Sequence, residues 1–358
     1  MPEAFQLELY TDSPDERPVF VAGDFNEWQP ADERFQLYRL DAGHYGIVLP
    51  EGVEWPRPFE YKYTRGTWAD VELTATGDSA PNRRLDDPTG PHRDYVPHWR
   101  REGQPFHPQF APQLVDINGF ELPHLGRPRR LRVLLPAGYE TNPERRYPVL
   151  YLLDAQNLVQ GGAGFGDWGL ERSLAILKER GRGEFIVVGI DHGEEFRKSE
   201  FNPYAHRWLG RGEGEMFVKA VIEGVKPFID GEFRTRPERE YTGIGGSSLG
   251  GLLSYFAGVK AWPVFGKVLV FSPSLWVSPR TFSDAGQLSS AAPSQFYLFG
   301  GGRETKSMQS ALERLHSALR RHPQVQTHFS FDPEGRHEEA RWAREFPKAA
   351  EWLFSSEP

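Results

Sequence analysis

Between residues 239 and 258 an apolar, glycine-rich run passes straight into a second apolar run, joined at Gly246-Ser247-Ser248-Leu249-Gly250. The first run, Arg239 to Gly245, has the composition of a short buried strand, and the second, from Gly251, reads as a helix. Ser248 therefore stands at a strand-to-helix turn in a G-x-S-x-G frame. A serine held on so sharp a turn needs glycines around it, because neighbouring backbones pass too close for side chains. Ser247 does not fit the frame, since two residues beyond it stands Leu249. A chain built this way must place a strand inside a sheet and a helix directly on it.

The sequence from Gln113 onward supplies that sheet. Arg130–Leu135, Pro148–Leu153, Phe185–Ile190, Lys267–Phe271 and Gln295–Phe299 are short apolar runs, with a further strand over Thr327–Phe331. Helical patterns lie between them, at Gly169–Lys178, Glu215–Ile229, Ser307–His322 and Glu338–Phe354. Continuous apolar strands alternating with helices predict a parallel sheet covered on both faces, an α/β domain over residues 113–358.

A serine hydroxyl is a weak nucleophile without a base, and with this kind of elbow the acid and then the histidine follow the serine along the chain. Four histidines qualify. His316 and His322 read as solvated groups on or beside a charged helix, and His328 alternates within a strand. His337 lies in the loop Pro333–His337, after the last strand and before the last helix, where the sheet's carboxyl edge presents loops to a site. It is the predicted general base. Glu304, just past the end of the Gln295–Phe299 strand, is the predicted orienting acid; Asp284, Asp332 and Glu334 read as loop carboxylates. The oxyanion donors expected are the Leu249 amide and that of Ala155 or Gln156, in the loop after Leu153, with Asp154 bracing that loop. Gly161–Gly166 matches no phosphate-binding pattern and reads as a mobile loop near the site.

Residues 1–96 have a different texture. Short alternating runs such as Phe20–Ala22, Tyr45–Leu49 and Phe59–Tyr63, separated by turn clusters, predict a β-sandwich. Residues 97–112, rich in Pro, His and Arg, read as a linker. With 10 Trp and 25 Phe in 358 residues the chain can fill two cores. A net charge of -8 argues against nucleic acid, and the absence of cysteine excludes disulfides, thiolate chemistry and zinc-thiolate sites. Met1–Phe5 has no basic segment or apolar core and no apolar run reaches the length of a membrane span, so a soluble, cytoplasmic protein is expected.

From about Arg130 to Phe354 the chain resembles the enterochelin-esterase/esterase D group of α/β-hydrolases. The matching stretches are Tyr151–Asn157, Lys226–Asp230, Thr242–Gly251, Phe271–Trp276 and Arg336–Pro347. The resemblance implies a Ser248/Glu304/His337 triad, in agreement with the spacing. It departs from the pattern at Ala155, where glycine is usual, and at Gly300–Arg303, where the family often has Gly-Thr before the acid. Trp276, near the site, is a candidate for lining the acyl pocket. Residues Gly23–Trp28, Tyr61–Trp68 and Pro81–Arg83 resemble glycogen-binding modules and related early-set immunoglobulin-like domains. That likeness implies sugar stacking on Trp28 and Trp68 with Lys62 and Asn82 bonding hydroxyls; siderophore esterases also carry an N-terminal sandwich, one that only shapes the cleft.

The expectation is an α/β-hydrolase domain preceded by an immunoglobulin-like β-sandwich, acting as a serine esterase on a small-molecule ester with no metal or organic cofactor. Two other readings use the same residues. One is an acyltransferase to a sugar acceptor; the other is a non-catalytic carbohydrate-binding protein.

Overall fold

The computed structural model describes residues 6–13, 15–48, 56–86, 91–159, 164, 166–288 and 293–354. Most of the Gly161–Gly166 loop and Met1–Phe5 lie outside them. The chain divides into two compact units, Met1–Ala111 with Arg172–Gly181, and Pro112–Glu171 with Arg182–Pro358.

The first unit is a β-structure of strands β1 (Gln6–Thr11), β2 (Val19–Gly23), β3 (Gln36–Asp41), β4 (His44–Val48), β5 (Phe59–Thr64), β6 (Glu72–Leu73), β7 (Arg83–Leu85), β8 (Pro91–Val96) and β9 (His98–Trp99). Seven of them pair in the order β7-β5-β2-β3-β4-β1-β8. Strand β3 joins the halves, pairing with β2 through Gln36 and Leu37 and with β4 from Tyr38 onward. The alternate residues Leu7 and Leu9, Val19 and Val21, and Phe59, Tyr61 and Tyr63 all turn into one buried cluster, as strands with a single buried face require. Within it Asp94 accepts hydrogen bonds from the hydroxyls of Tyr61 (2.7 Å) and Tyr63 (2.8 Å) and from Arg83 (2.7 Å), so the buried carboxylate is satisfied. Residues His98 and Trp99, which the composition suggested were linker, pair with β6 instead. Trp99 is buried in this core and its indole N–H donates to Thr11 Oγ1 at 3.1 Å. A Trp can bury more surface than any neighbour in a Pro/Arg-rich stretch, and here that outweighs the local composition.

The second unit holds β10 (Gln113–Leu122), β11 (Arg127–Leu135), β12 (Val149–Leu153), β13 (Ile186–Ile190), β14 (Thr242–Ser247), β15 (Lys267–Phe271), β16 (Ser294–Gly301) and β17 (Val325–Asp332). Their order is β10-β11-β13-β12-β14-β15-β16-β17. From β13 to β17 the neighbours are parallel, while β10 and β11 form an antiparallel edge. All residues of β12, β13 and β15 are buried, which explains their unbroken apolar sequences. Helix α1 (Leu170–Glu179) falls, from Arg172 onward, in the first unit; the helices of the second are α2 (Arg197–Glu200), α3 (Gly214–Ala220), α4 (Lys226–Glu232), α5 (Leu249–Lys260), α6 (Arg280–Asp284), α7 (Met308–Leu319) and α8 (Glu339–Phe354). Helix α5 is buried on all sides from Leu249 to Val259, so its apolar character runs around the whole helix.

After β12 the chain adds β13 on one side, then returns to add β14 on the other. That reversal opens a crevice at the carboxyl ends of β12 and β14, where sheets of this kind hold their sites. This is an α/β-hydrolase sheet preceded by a β-rich domain.

Candidate active site

Ser248 follows the last residue of β14 and caps α5 with φ +58° and ψ -120°, a conformation an L-residue adopts only under constraint. Three backbone bonds impose it. The Ser248 N–H donates to Phe271 O at 3.0 Å, while its carbonyl accepts from Ser274 N and Leu252 N, each at 3.0 Å. Gly246 is required by close approach: a Cβ there would stand 2.9 Å from the Gly250 carbonyl carbon.

His337 lies in the loop between β17 and α8. Its Nδ1 is 2.6 Å from Glu304 Oε2. The Glu304 side chain is 1% exposed and that of His337 43%, so the carboxylate is sequestered while the imidazole reaches solvent. An ionised carboxylate only accepts, so Nδ1 donates to Glu304, and in the neutral imidazole Nε2 then keeps a lone pair. The other oxygen, Glu304 Oε1, accepts from Gly301 N and Ser272 Oγ, both at 2.6 Å. Ser272 in turn accepts from the Trp342 indole N–H at 2.9 Å, and the Trp342 ring meets the His337 ring edge-on with centroids 5.0 Å apart. The glycine run before Glu304 has a steric cause: added Cβ atoms at Gly301 and Gly302 would lie 2.3 Å from Gly335 O and 2.4 Å from Pro333 O, in the loop that carries His337.

Ser248, Leu249, Trp276, Glu304 and His337 line one cavity of about 830 Å³. Ser248 Oγ lies 3.5 Å from Ser274 Oγ there. Trp276 is 64% exposed and sets its ring edge against His206, centroids 5.5 Å apart. Ala155 and Gln156 are not among the residues lining the cavity. Ala155 is buried at the start of a short 3-10 turn, and the Gln156 side chain exchanges two hydrogen bonds of 3.0 Å with the backbone of His192. Asp154, at φ +63°, braces that turn through a two-pronged pair with Arg197 at 2.6 and 2.8 Å. The carboxylates read as loop groups are engaged elsewhere: Asp284 with Tyr204 and Lys260, Asp332 with Arg341, Glu334 with Arg303.

The remaining histidines differ in part from the sequence reading. His328 stacks on Tyr297 at 4.6 Å, a packing role. His322 is tied to Ala285 O at 2.7 Å and His316 sits half-buried beside Phe329, so neither is simply solvated. Burial, with smaller contributions from Arg320 and His328, lowers the His316 pKa. Ser272 and Trp342 were not singled out by the sequence as site residues; their motifs were visible, but their meeting with Glu304 is a long-range event.

In the first unit Trp28 and Trp68 lie together, centroids 6.2 Å apart and rings 39° from parallel. Trp28 is fixed by its indole donating to Asp24 at 3.0 Å. Lys62 donates to Ala80 O, and Asn82 donates to Glu60 at 2.8 Å. Among the described residues no group of three or more His, Cys, Asp or Glu is arranged to hold a metal ion, and no helix is long and apolar enough to cross a membrane.

The model of the Esterase family matches residues 123–353. The chain belongs to this esterase family. It is a carboxylic ester hydrolase. Its relatives include YbbA of Bacillus subtilis (strain 168), an uncharacterized protein 25% identical over 248 residues, 64% of this chain and 94% of that one. A second match, 37% identical over 83 residues, is to an alpha-amylase of Niallia circulans and covers 23% of this esterase but 6% of the amylase. Among solved structures the enterobactin esterase FES from Shigella flexneri has the same fold, with a TM-score of 0.55 at 18% identity over 94% of this chain and 88% of that one.

Proposed function

We propose that this esterase works through an acyl-enzyme on Ser248. The observation that carries the reading is Ser248, strained at the head of α5, opening into the same cavity as a histidine whose Nδ1 is held 2.6 Å from a buried carboxylate. Ser248 Oγ attacks the ester carbonyl carbon and its proton passes to His337 Nε2. The tetrahedral oxyanion takes a hydrogen bond from the amide of Leu249, which lines the cavity beside Ser248. Its collapse breaks the bond to the alcohol oxygen, which leaves with the proton from His337. Water then attacks the acyl carbon, gives its proton to His337, and the serine leaves with it. Glu304 keeps the imidazole oriented and stabilises the imidazolium in both halves.

Trp276 forms part of the acyl pocket in this reading. A series of p-nitrophenyl esters tests it: short to medium acyl chains are turned over best, and Ser248→Ala loses at least about 1,000-fold in kcat. Retention of most activity by Ser248→Ala would refute it.

The Trp28–Trp68 pair favours a second role, glycan binding by the first unit. Aromatic faces pack on the C–H faces of sugar rings, so two Trp rings held side by side offer a platform for one. Lys62 and Asn82 would have to exchange their present partners for sugar hydroxyls. A glycan pulldown checks it: Trp28→Ala and Trp68→Ala each lower retention, and unchanged retention in both removes these residues from any sugar site.

A further inference from the structure

The cavity that holds Ser248 is lined by a charge set at odds with the rest of the chain. The protein carries a net charge of -8. Yet the cavity is lined by three cations, Arg197, Lys198 and Arg314, against one carboxylate, Glu304. Arg197 is neutralised by Asp154, and Glu304 is turned to His337. Lys198 and Arg314 remain, and among the described residues neither makes an ion pair. They come from different elements, Lys198 from α2 and Arg314 from α7.

Arg314 is not a loose surface group. Its guanidinium lies over the ring of Phe282, 4.1 Å from the centroid, and Phe282 is itself a cavity wall. Such stacking holds the cation at the wall while leaving its N–H groups free to meet an acceptor. The rest of the lining includes Leu209, Leu275, Trp276, Met308 and Ala311, which suit an apolar body.

We infer that the substrate of this esterase is an organic anion: an ester with an apolar body that carries a carboxylate or comparable anionic group met by Lys198 and Arg314. This rests on the Ser248 esterase reading and narrows it. An ester anion of this kind gains from both cations without desolvating a carboxylate of the protein, whereas a neutral ester of the same shape gains only from the apolar walls. An ion pair no more sheltered than a surface one is worth up to about fivefold, so each cation contributes on that order through KM.

The test uses ester pairs matched in shape and differing in charge. p-Nitrophenyl hexanoate is compared with mono-p-nitrophenyl adipate, which puts the charge on the acyl side; phenyl hexanoate is compared with 4-(hexanoyloxy)benzoate, which puts it on the leaving group. The readout is the anionic-to-neutral ratio of kcat/KM. In the wild type one pair or the other gives a ratio above about five, and added salt lowers it. Lys198→Ala and Arg314→Ala each reduce that ratio several-fold, and Arg314→Glu reduces it further. Ratios near or below one for both pairs, or a ratio unmoved in the Lys198→Ala/Arg314→Ala double variant, overturn the inference while hydrolysis of the neutral esters leaves the esterase reading standing. No turnover of any of the four esters overturns both.

Discussion

Ser272→Ala is the substitution with the most to say about how the site is held. The Ser272 side chain is fully buried, and its Oγ accepts from Trp342 at 2.9 Å, so its single proton points at Glu304 Oε1, 2.6 Å away. Alanine removes one of the two donors to that oxygen and leaves the indole N–H facing a methyl group. A hydrogen bond to a charged group is worth about 1.5–3 kcal/mol, and an orphaned buried donor costs about 1–3 kcal/mol. Gly301 N still serves Glu304, so the two losses do not add in full, and a total near 3 kcal/mol follows. Urea unfolding measures it. Replacing the indole as well, in Ser272→Ala/Trp342→Phe, removes the orphan, so the double variant is more stable by about 1 kcal/mol than the sum of the single losses predicts. In the same variants kcat falls by about tenfold or more, because a carboxylate free to swing no longer fixes the His337 ring. A Ser272→Ala protein within about 0.5 kcal/mol of wild type and unchanged in kcat would mean that Ser272 does not hold Glu304.

Gly301→Ala forces a Cβ against the Gly335 carbonyl at 2.3 Å, both atoms being backbone-anchored. It costs about 1–3 kcal/mol in unfolding free energy and lowers kcat more than KM, since the displaced loop carries His337. His316, whose pKa burial lowers, binds protons more readily in the unfolded chain. Stability therefore declines as pH falls below the unfolded value of about 6.5, and the loss is complete below the folded value. Thermal melts between pH 8 and 5 show a smaller drop for His316→Gln than for wild type; equal drops would contradict it.

What the sequence made legible was local. The elbow is written in consecutive residues, and β12, β13 and β15 announce themselves because both faces are buried. His337 and Glu304 could be proposed because chain order and strand ends restrict the choices, and the two side chains do meet, 2.6 Å apart. Strand β10 was not resolved from the sequence as a separate element: most of its residues are exposed or half-buried, so its composition lacks an apolar signature, and it is fixed by pairing with β11. The support behind Glu304 was invisible for another reason. Ser272 and Trp342 lie 32 and 38 residues from it, on opposite sides in sequence, and nothing short of the fold tells a serine in Phe271–Trp276 that an indole will fix its proton. The role of Trp99 was likewise set by the core it fills.

Labelling with a fluorophosphonate, followed by peptide mass mapping, shows whether Ser248 is the nucleophile. One adduct is expected, on Ser248, formed rapidly in the wild type and at least about 100-fold more slowly in His337→Ala. An unlabelled protein, an adduct on Ser247 or Ser274, or labelling indifferent to His337 would contradict it.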